Sequence, residues 1–220
     1  MARPFHPGID ALPAILPIFP LPGVLLLPDG KLPLNIFEPR YLSLVTDALG
    51  KGRLFGMVQP TGEPADGSDP PIFDTGCAGR ISAFSETEDG RLLITLTGVC
   101  RYHITDEVEG LHGYRRVAVD WRPFAADLDD PPAITLDRRR LLAALKTYSR
   151  LNHLDFNWKA IERVEDYDLS VSLSMACPFE PREKQALLEC PHPAQRAETL
   201  ITLMEMAVAE RQGGGGQVPQ

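Results

Sequence analysis

The sequence predicts an α+β fold: a small β-barrel or sandwich with one inserted helix, followed by a bundle of helices. Three observations carry this. Up to residue 121 the apolar residues come in short runs cut by Pro, Gly and Asp-Gly pairs, which is strand grammar. An acidic, proline-rich stretch, RPFAADLDDPP at 122–132, then interrupts the chain. Beyond it the apolar residues recur every three or four positions, which is helix grammar. At 220 residues, with 44% hydrophobic and 24% charged residues, the chain has the length and composition of a folded protein with a sizeable core.

The elements follow in order. LPIFPLPGVLLLPDGKLPLNIF is apolar but rich in proline, so its strands belong at edges and bends. Asp29-Gly30 is a turn signal between Leu25–Leu27 and Leu32–Leu34. In LPLNIFEPRY, Leu32 to Phe37 is extended, and Glu38 is held out of helical geometry by the proline after it. Pro39 suits the first helical position, and Tyr41, Leu42, Val45 and Leu49 then form an apolar stripe that stops at Gly50. Glu38 stands at the positive end of this helix, where a carboxylate is stabilised by about 0.3–1 kcal/mol. Arg40 can pair with it.

RLFGMVQ at 53–59 is a strand, and TGEPADGSDPP at 61–71 is a long polar loop. Residues 79–104 read as a hairpin turning at Asp89-Gly90. There Leu92, Ile94 and Leu96 alternate with Leu93, Thr95 and Thr97, as in a half-buried strand. Gly98 marks a bulge or a close backbone approach. YRRVAVDW at 114–121 is a further strand.

Leu141, Leu142, Leu145, Tyr148 and Leu151 give a helix after the break. Leu169, Leu173 and Ala176 give a second, ended by Pro178. Pro181 and Pro193 each open another. The domain boundaries expected are 1–123 for the β unit, 124–132 for a linker, 133–211 for the helices and 212–220 for a flexible tail.

The formal charge of −8 argues against nucleic acid as a partner. The densest basic cluster, Arg138–Arg139–Arg140, follows Asp127, Asp129, Asp130 and Asp137, and reads as a solvated helix start. MARPFHPGID lacks the continuous apolar core of a signal peptide, and residues 12–27 are broken by proline too often to span a membrane. Cytoplasm is the expected compartment, with Cys77, Cys100, Cys177 and Cys190 as reduced thiols. Cys177 before Pro178 reads as a buried small hydrophobe.

No catalytic, cofactor or metal site is expected. Gly23 to Lys31 has six residues between its glycines where a phosphate-binding loop needs four, and Leu32 follows the lysine. There is no HExxH, CxxC or GxSxG, and Cys190-Pro191-His192 is isolated.

With the motifs laid out, IFPLPGVLLLPDGKLPLNIFEPRYLSLVTDAL resembles the amino-terminal signature of the Lon substrate-binding domain. RLFGMV, GCAGRI, DGRLLITLTGVCRYHI, PFEPREKQALLE and AQRAETL follow in the family's order, so the resemblance spans roughly residues 12–210. It implies a PUA-like barrel followed by a helical bundle, and a stand-alone domain without the ATPase and protease parts of Lon. The residues that carry it are Pro33, Phe37, Glu38, Pro39, Arg40, Tyr41, Gly79, Arg80, Gly98, Arg101, Glu183, Lys184 and Gln185, read as structural.

The function implied is non-enzymatic polypeptide recognition or an adaptor role in protein quality control. The alternative on the same barrel is a regulatory protein that binds a small molecule or nucleic acid. Peptide contacts are expected near Leu16–Leu27, in the 61–71 loop, and in a junction cleft near Phe124. Leu200, Leu203, Met204 and Val208 of the last helix are a candidate homo-oligomer contact.

Overall fold

The structure is a computed structural model and describes residues 7–62 and 69–213. Most of the 61–71 loop and the tail from residue 214 onward lie outside the described residues. The chain divides into two compact units, Met1–Pro131 and Pro132–Gln220. The first holds strands β1 (Ile15–Pro20), β2 (Lys31–Ile36), β3 (Leu54–Val58), β4 (Thr75–Glu86), β5 (Leu92–Leu111) and β6 (Tyr114–Asp120), with helix α1 (Pro39–Gly50) between β2 and β3. The second holds helices α2 (Arg138–Leu151), α3 (Trp158–Ile161), α4 (Asp166–Ala176), α5 (Pro181–Glu189) and α6 (Pro193–Gly213).

The strands form one six-stranded sheet in the order β2-β5-β4-β3-β1-β6, and β5 also pairs with β6, so the pairing returns on itself. Among the described residues only β1 and β3 run parallel. The long β5 makes this possible: its first half pairs with β2 and β4, and its second half with β6. Leu16, Ile18, Val58, Ala78, Val99, Cys100, Tyr102, Val117 and Trp121 form the core. The Trp121 indole donates to the Pro13 carbonyl at 2.9 Å, which satisfies its one polar atom.

Pro28 and Asp29 turn the chain between Leu27 and Gly30, whose amide donates to the Leu27 carbonyl at 2.9 Å. Leu25, Leu26 and Leu27 are buried without joining a strand. Gly98 shows both features that its place in a strand suggests. The register shifts beside it, and a Cβ there would stand 1.9 Å from the Leu27 carbonyl oxygen. The backbone of the Asp29 turn lies directly against it, with the Asp29 amide donating to the Gly98 carbonyl and the Gly98 amide to the Gly30 carbonyl.

Several local expectations need correction. The α1 stripe is Tyr41, Leu44, Val45 and Ala48 rather than one through Leu42 and Leu49, while the helix ends at Gly50 as expected, with Lys51 as its C-cap. Residues 122–128 are not a free tether. They form a 3-10 helix packed on β5, because Asp127 and Phe124 find partners there. Ala176 is exposed, while Ser170 and Ser174 of α4 are buried and satisfied by the carbonyls of Tyr167 and Ser170.

In the second unit α6 packs against α2, α4 and α5, burying Leu141, Leu145, Tyr148, Leu169, Leu187, Leu200, Ile201 and Met204. Leu200 and Met204 are therefore core and unavailable to a second copy. Arg138 and Arg140 are not merely solvated. Arg138 holds Asp166 at 2.6 Å and the carbonyls of Ile161 and Val164, and Arg140 clamps Glu205 at 2.6 Å and Glu198 at 2.9 Å.

Candidate functional site

The corner after β2 is built as its sequence dictates. Glu38 is the extended N-cap of α1 and Pro39 its first residue, but the Glu38 carboxylate caps no amide. It pairs instead with Arg40 at 3.1 Å, whose guanidinium also reaches Asp69 at 3.5 Å and lies 4.6 Å from the Tyr41 ring centroid. Tyr41 is buried and stacks on Phe19 at 3.8 Å, pinning α1 to β1. Such a ring pair is worth about 0.5–1.5 kcal/mol beyond its buried area. Burial pushes the Tyr41 hydroxyl above its ordinary pKa, against the pull of Arg40.

Sequence reasoning missed a cluster that locks α1 to the β5–β6 hairpin. The Asp47 carboxylate accepts from the Tyr114 hydroxyl at 2.8 Å and contacts His112 Nδ1 at 2.9 Å. Those hydrogen bonds, Tyr114's first, hold Asp47 below its usual value, while burial, aided by Asp47, pushes Tyr114 up to about 12. Sixty-five residues separate Asp47 from His112, so no local spacing announces the cluster.

Among the described residues, three of the four most exposed large apolar side chains of the first unit, Phe37, Phe84 and Leu93, lie where β2, β5 and the tip of β4 meet; the fourth, Ile15, is on β1. Leu34, Ile94 and Phe84 stand in register across the three strands. Ile94 is buried, Leu34 half-buried and Phe84 53% exposed, so the core-facing row runs out from under its cover. Leu93, in register with Asn35 and Ser85, is 47% exposed. Phe37, just beyond β2, is 60% exposed, with Arg91 5.8 Å from its ring centroid. Pro33 lies exposed on β2, a strand paired only with β5 among the described residues. A proline on an edge strand removes a donor from the free edge, and the exposed Lys31 adds charge to it. That edge is guarded against strand addition, while the apolar groups beside it are uncovered, Phe84 on the side of Leu34 and Ile94 and Leu93 on the opposite side.

The basic residues next to aromatics are engaged within the chain. Arg101 is buried and forms a bidentate pair with Asp127 at 2.8 Å, beneath the Phe124 ring at 4.6 Å. Arg115 pairs with Glu107 at 2.6 Å and the Pro70 carbonyl at 2.7 Å, and Arg116 donates to the Glu109 carbonyl. None of them presents a free stripe to a phosphate backbone. All four cysteines are buried, and burial pushes the Cys100 and Cys177 thiols up to about 12. Among the described residues no cluster of His, Cys, Asp and Glu could hold a metal, and no helix is long and apolar enough to cross a membrane.

A sequence-family profile for the ATP-dependent protease La (LON) substrate-binding domain matches residues 15–206. The chain belongs to the Lon substrate-binding domain family. It is 31% identical to the Lon protease of Flavobacterium johnsoniae over 111 residues, covering 50% of this chain and 14% of that protein. It is 23% identical to the Lon protease of Elusimicrobium minutum over 210 residues, covering 90% and 24%. The chain thus spans about a quarter, or less, of these Lon proteases.

Among solved structures it resembles the Lon N-terminal domain protein from Xanthomonas campestris, with a TM-score of 0.58 and 26% identity over 86% of this chain and 97% of that one. The N-terminal domain of Mycobacterium avium complex Lon protease shares the fold, with a TM-score of 0.57 at 17% identity over 87% and 98%.

The motif residues of this Lon substrate-binding domain do not converge on one site. Pro33 to Tyr41 form the strand-to-helix corner. Gly79 and Gly98 face each other across β4 and β5, with Leu26 and Leu96 against Gly79. Arg80 is half-buried beside them, and Arg101 lies further along β5. Glu183, Lys184 and Gln185 belong to the second unit. Glu183 closes a capping box with the Glu180 amide at 2.8 Å, and Gln185 donates to Glu189 at 2.7 Å. Lys184 and Gln185 are buried, and burial lowers the Lys184 pKa.

Proposed function

We propose that this chain recognises polypeptides without catalysing a reaction, as an adaptor-type module of the Lon substrate-binding kind in cytoplasmic protein quality control. The observation that carries the reading is the uncovered apolar end of β2, β5 and β4, on a chain whose family is that of a substrate-binding domain. Apolar surface of this kind is the feature that captures an extended apolar segment. The guarded edge of β2 favours docking through side chains over strand addition. The closed pairing of β5 with both β4 and β6 supports a small PUA-like barrel as the scaffold. The motif residues then serve as scaffold, and a segment laid over this end of the sheet meets Phe84 on one face and Leu93 on the other, beside Phe37.

The test uses a labelled, uncharged peptide in which Leu and Phe alternate with Ser and Gln, followed by fluorescence anisotropy. The full chain should bind it. Phe84→Ser with Leu93→Ser should weaken binding about tenfold or more, the scale of losing buried apolar contacts, with the melting temperature unchanged. Absence of binding, or binding that survives the double substitution, overturns the reading.

A further inference from the structure

A second surface lies within the helical unit. A hollow of about 520 Å³ is lined by Leu142, Lys146, Ser149 and Arg150 of α2, Trp158 of α3, and Glu162. Its volume suits one or two side chains of a ligand. Trp158 in its lining is half-buried, edge-on to Phe156 at 6.2 Å, and the Lys146 ammonium stands 6.0 Å from the Trp158 ring centroid. Leu142 is half-buried and adds apolar wall.

The cations here differ from those elsewhere in the chain. Arg138 and Arg140 are consumed by Asp166, Glu198 and Glu205. Among the described residues, neither Lys146 nor Arg150 makes an ion pair, and neither does Arg139; all three are exposed. Positions 139, 146 and 150 fall on one face of α2, since three to four residues make a turn. An otherwise acidic chain therefore keeps a row of unpaired positive charge beside a half-open tryptophan.

We propose that this groove between α2 and α3 docks an acidic, extended polypeptide segment whose carboxylates meet Lys146 and Arg150 and whose neighbouring aromatic side chain rests on Trp158 and Leu142. The class of partner rests on the polypeptide-recognition reading; the charge and shape of the segment rest on the groove alone. Side chains four apart on a helix are about 6 Å apart. Side chains two apart on an extended strand are about 7 Å apart and point the same way. The pattern that fits is acid-x-acid-x-aromatic. Glu162 in the lining repels a continuous phosphate backbone more than a segment whose carboxylates are confined to Lys146 and Arg150, so a peptide carboxylate is the anion that fits.

The experiment titrates the full chain into labelled Glu-Ser-Glu-Ser-Phe and, separately, into Gln-Ser-Gln-Ser-Phe. The acidic peptide should bind about tenfold or more tighter, with an affinity that falls as salt rises. Lys146→Glu with Arg150→Glu should abolish the difference, and the neutral pair Lys146→Gln with Arg150→Gln should reduce it. Both residues are exposed, so the fold is kept, and an unchanged melting temperature verifies this. Phe84→Ser with Leu93→Ser should leave binding of the acidic peptide intact.

Equal binding of the two peptides overturns the proposal, as does indifference to charge reversal. Tighter binding of a single-stranded oligonucleotide that competes at the same residues also overturns it. If the uncharged apolar peptide still binds through Phe84 and Leu93 while the acidic one does not, only this groove assignment fails. If neither binds, both readings fail.

Discussion

Replacing Asp127 by Ala tests the least expected piece of the first unit, the attachment of residues 122–128 to β5. The side chains of Arg101 and Asp127 are 4% and 9% exposed, so little water can replace the lost carboxylate. Three hydrogen bonds disappear together: from the Arg101 backbone amide at 3.0 Å, and from its Nε and Nη2 at 2.8 Å each. What remains is a buried guanidinium with its acid gone, faced by the Phe124 ring. Breaking a buried pair from one side costs about 3–5 kcal/mol, and the ring returns only about 0.5–2 kcal/mol, an attraction already present in the parent.

The expected loss is therefore about 3–4 kcal/mol for the first unit. With about 2 kcal/mol per molar urea for a unit of this size, the midpoint should fall by about 1.5–2 M. Trp121 lies in this unit and reports it by fluorescence, in a Trp158→Phe background that silences the other unit. Replacing both partners, Arg101→Met with Asp127→Leu, should recover most of the loss, because an apolar pair strands no charge. A loss below about 1 kcal/mol for Asp127→Ala would mean that the segment is a tether after all.

Two further outcomes are expected. Gly98→Ala should destabilise the first unit by about 1–3 kcal/mol or more, because its Cβ would meet the Leu27 carbonyl oxygen at 1.9 Å and backbone must move; an unchanged thermal midpoint refutes the close approach. Asp47 has a depressed folded pKa, so its contribution is present above the unfolded value and is lost as pH falls through the folded one. Stability should decline below about pH 4, and Asp47→Asn should flatten that limb in urea titrations against pH, whereas an unaltered acid limb refutes its coupling to Tyr114 and His112.

Much of the framework was legible because its signals are local. Pro39 after Glu38 starts α1, the Asp89-Gly90 turn joins β4 to β5, and the alternation from Leu92 to Thr97 orients β5. The misses are tertiary. The composition of 122–132 describes a linker, but Phe124 and Asp127 find Arg101 more than twenty residues earlier in the chain. The stripe of α1 shifted because Phe19 of β1 captures Tyr41, which fixes the helix's rotation. Phe84 left a weak trace, an aromatic close to a hairpin turn. Its exposure depends on how far β4 and β5 outrun the core, and that follows from the length of the pairing rather than from any motif.

Asp137-Arg138-Arg139-Arg140 shows why a charged run is not a charged surface. Successive residues on a helix diverge by about 100°. Arg138 is thus carried to Asp166 and Arg140 to Glu198 and Glu205, while Asp137 caps the helix by accepting from the Arg140 amide. Only Arg139 is left to solvent, and its companions are Lys146 and Arg150, not its neighbours in sequence. The dense basic cluster is spent on holding helices together. The sparse one, spaced by helical turns and backed by Trp158, is the one that a partner can reach.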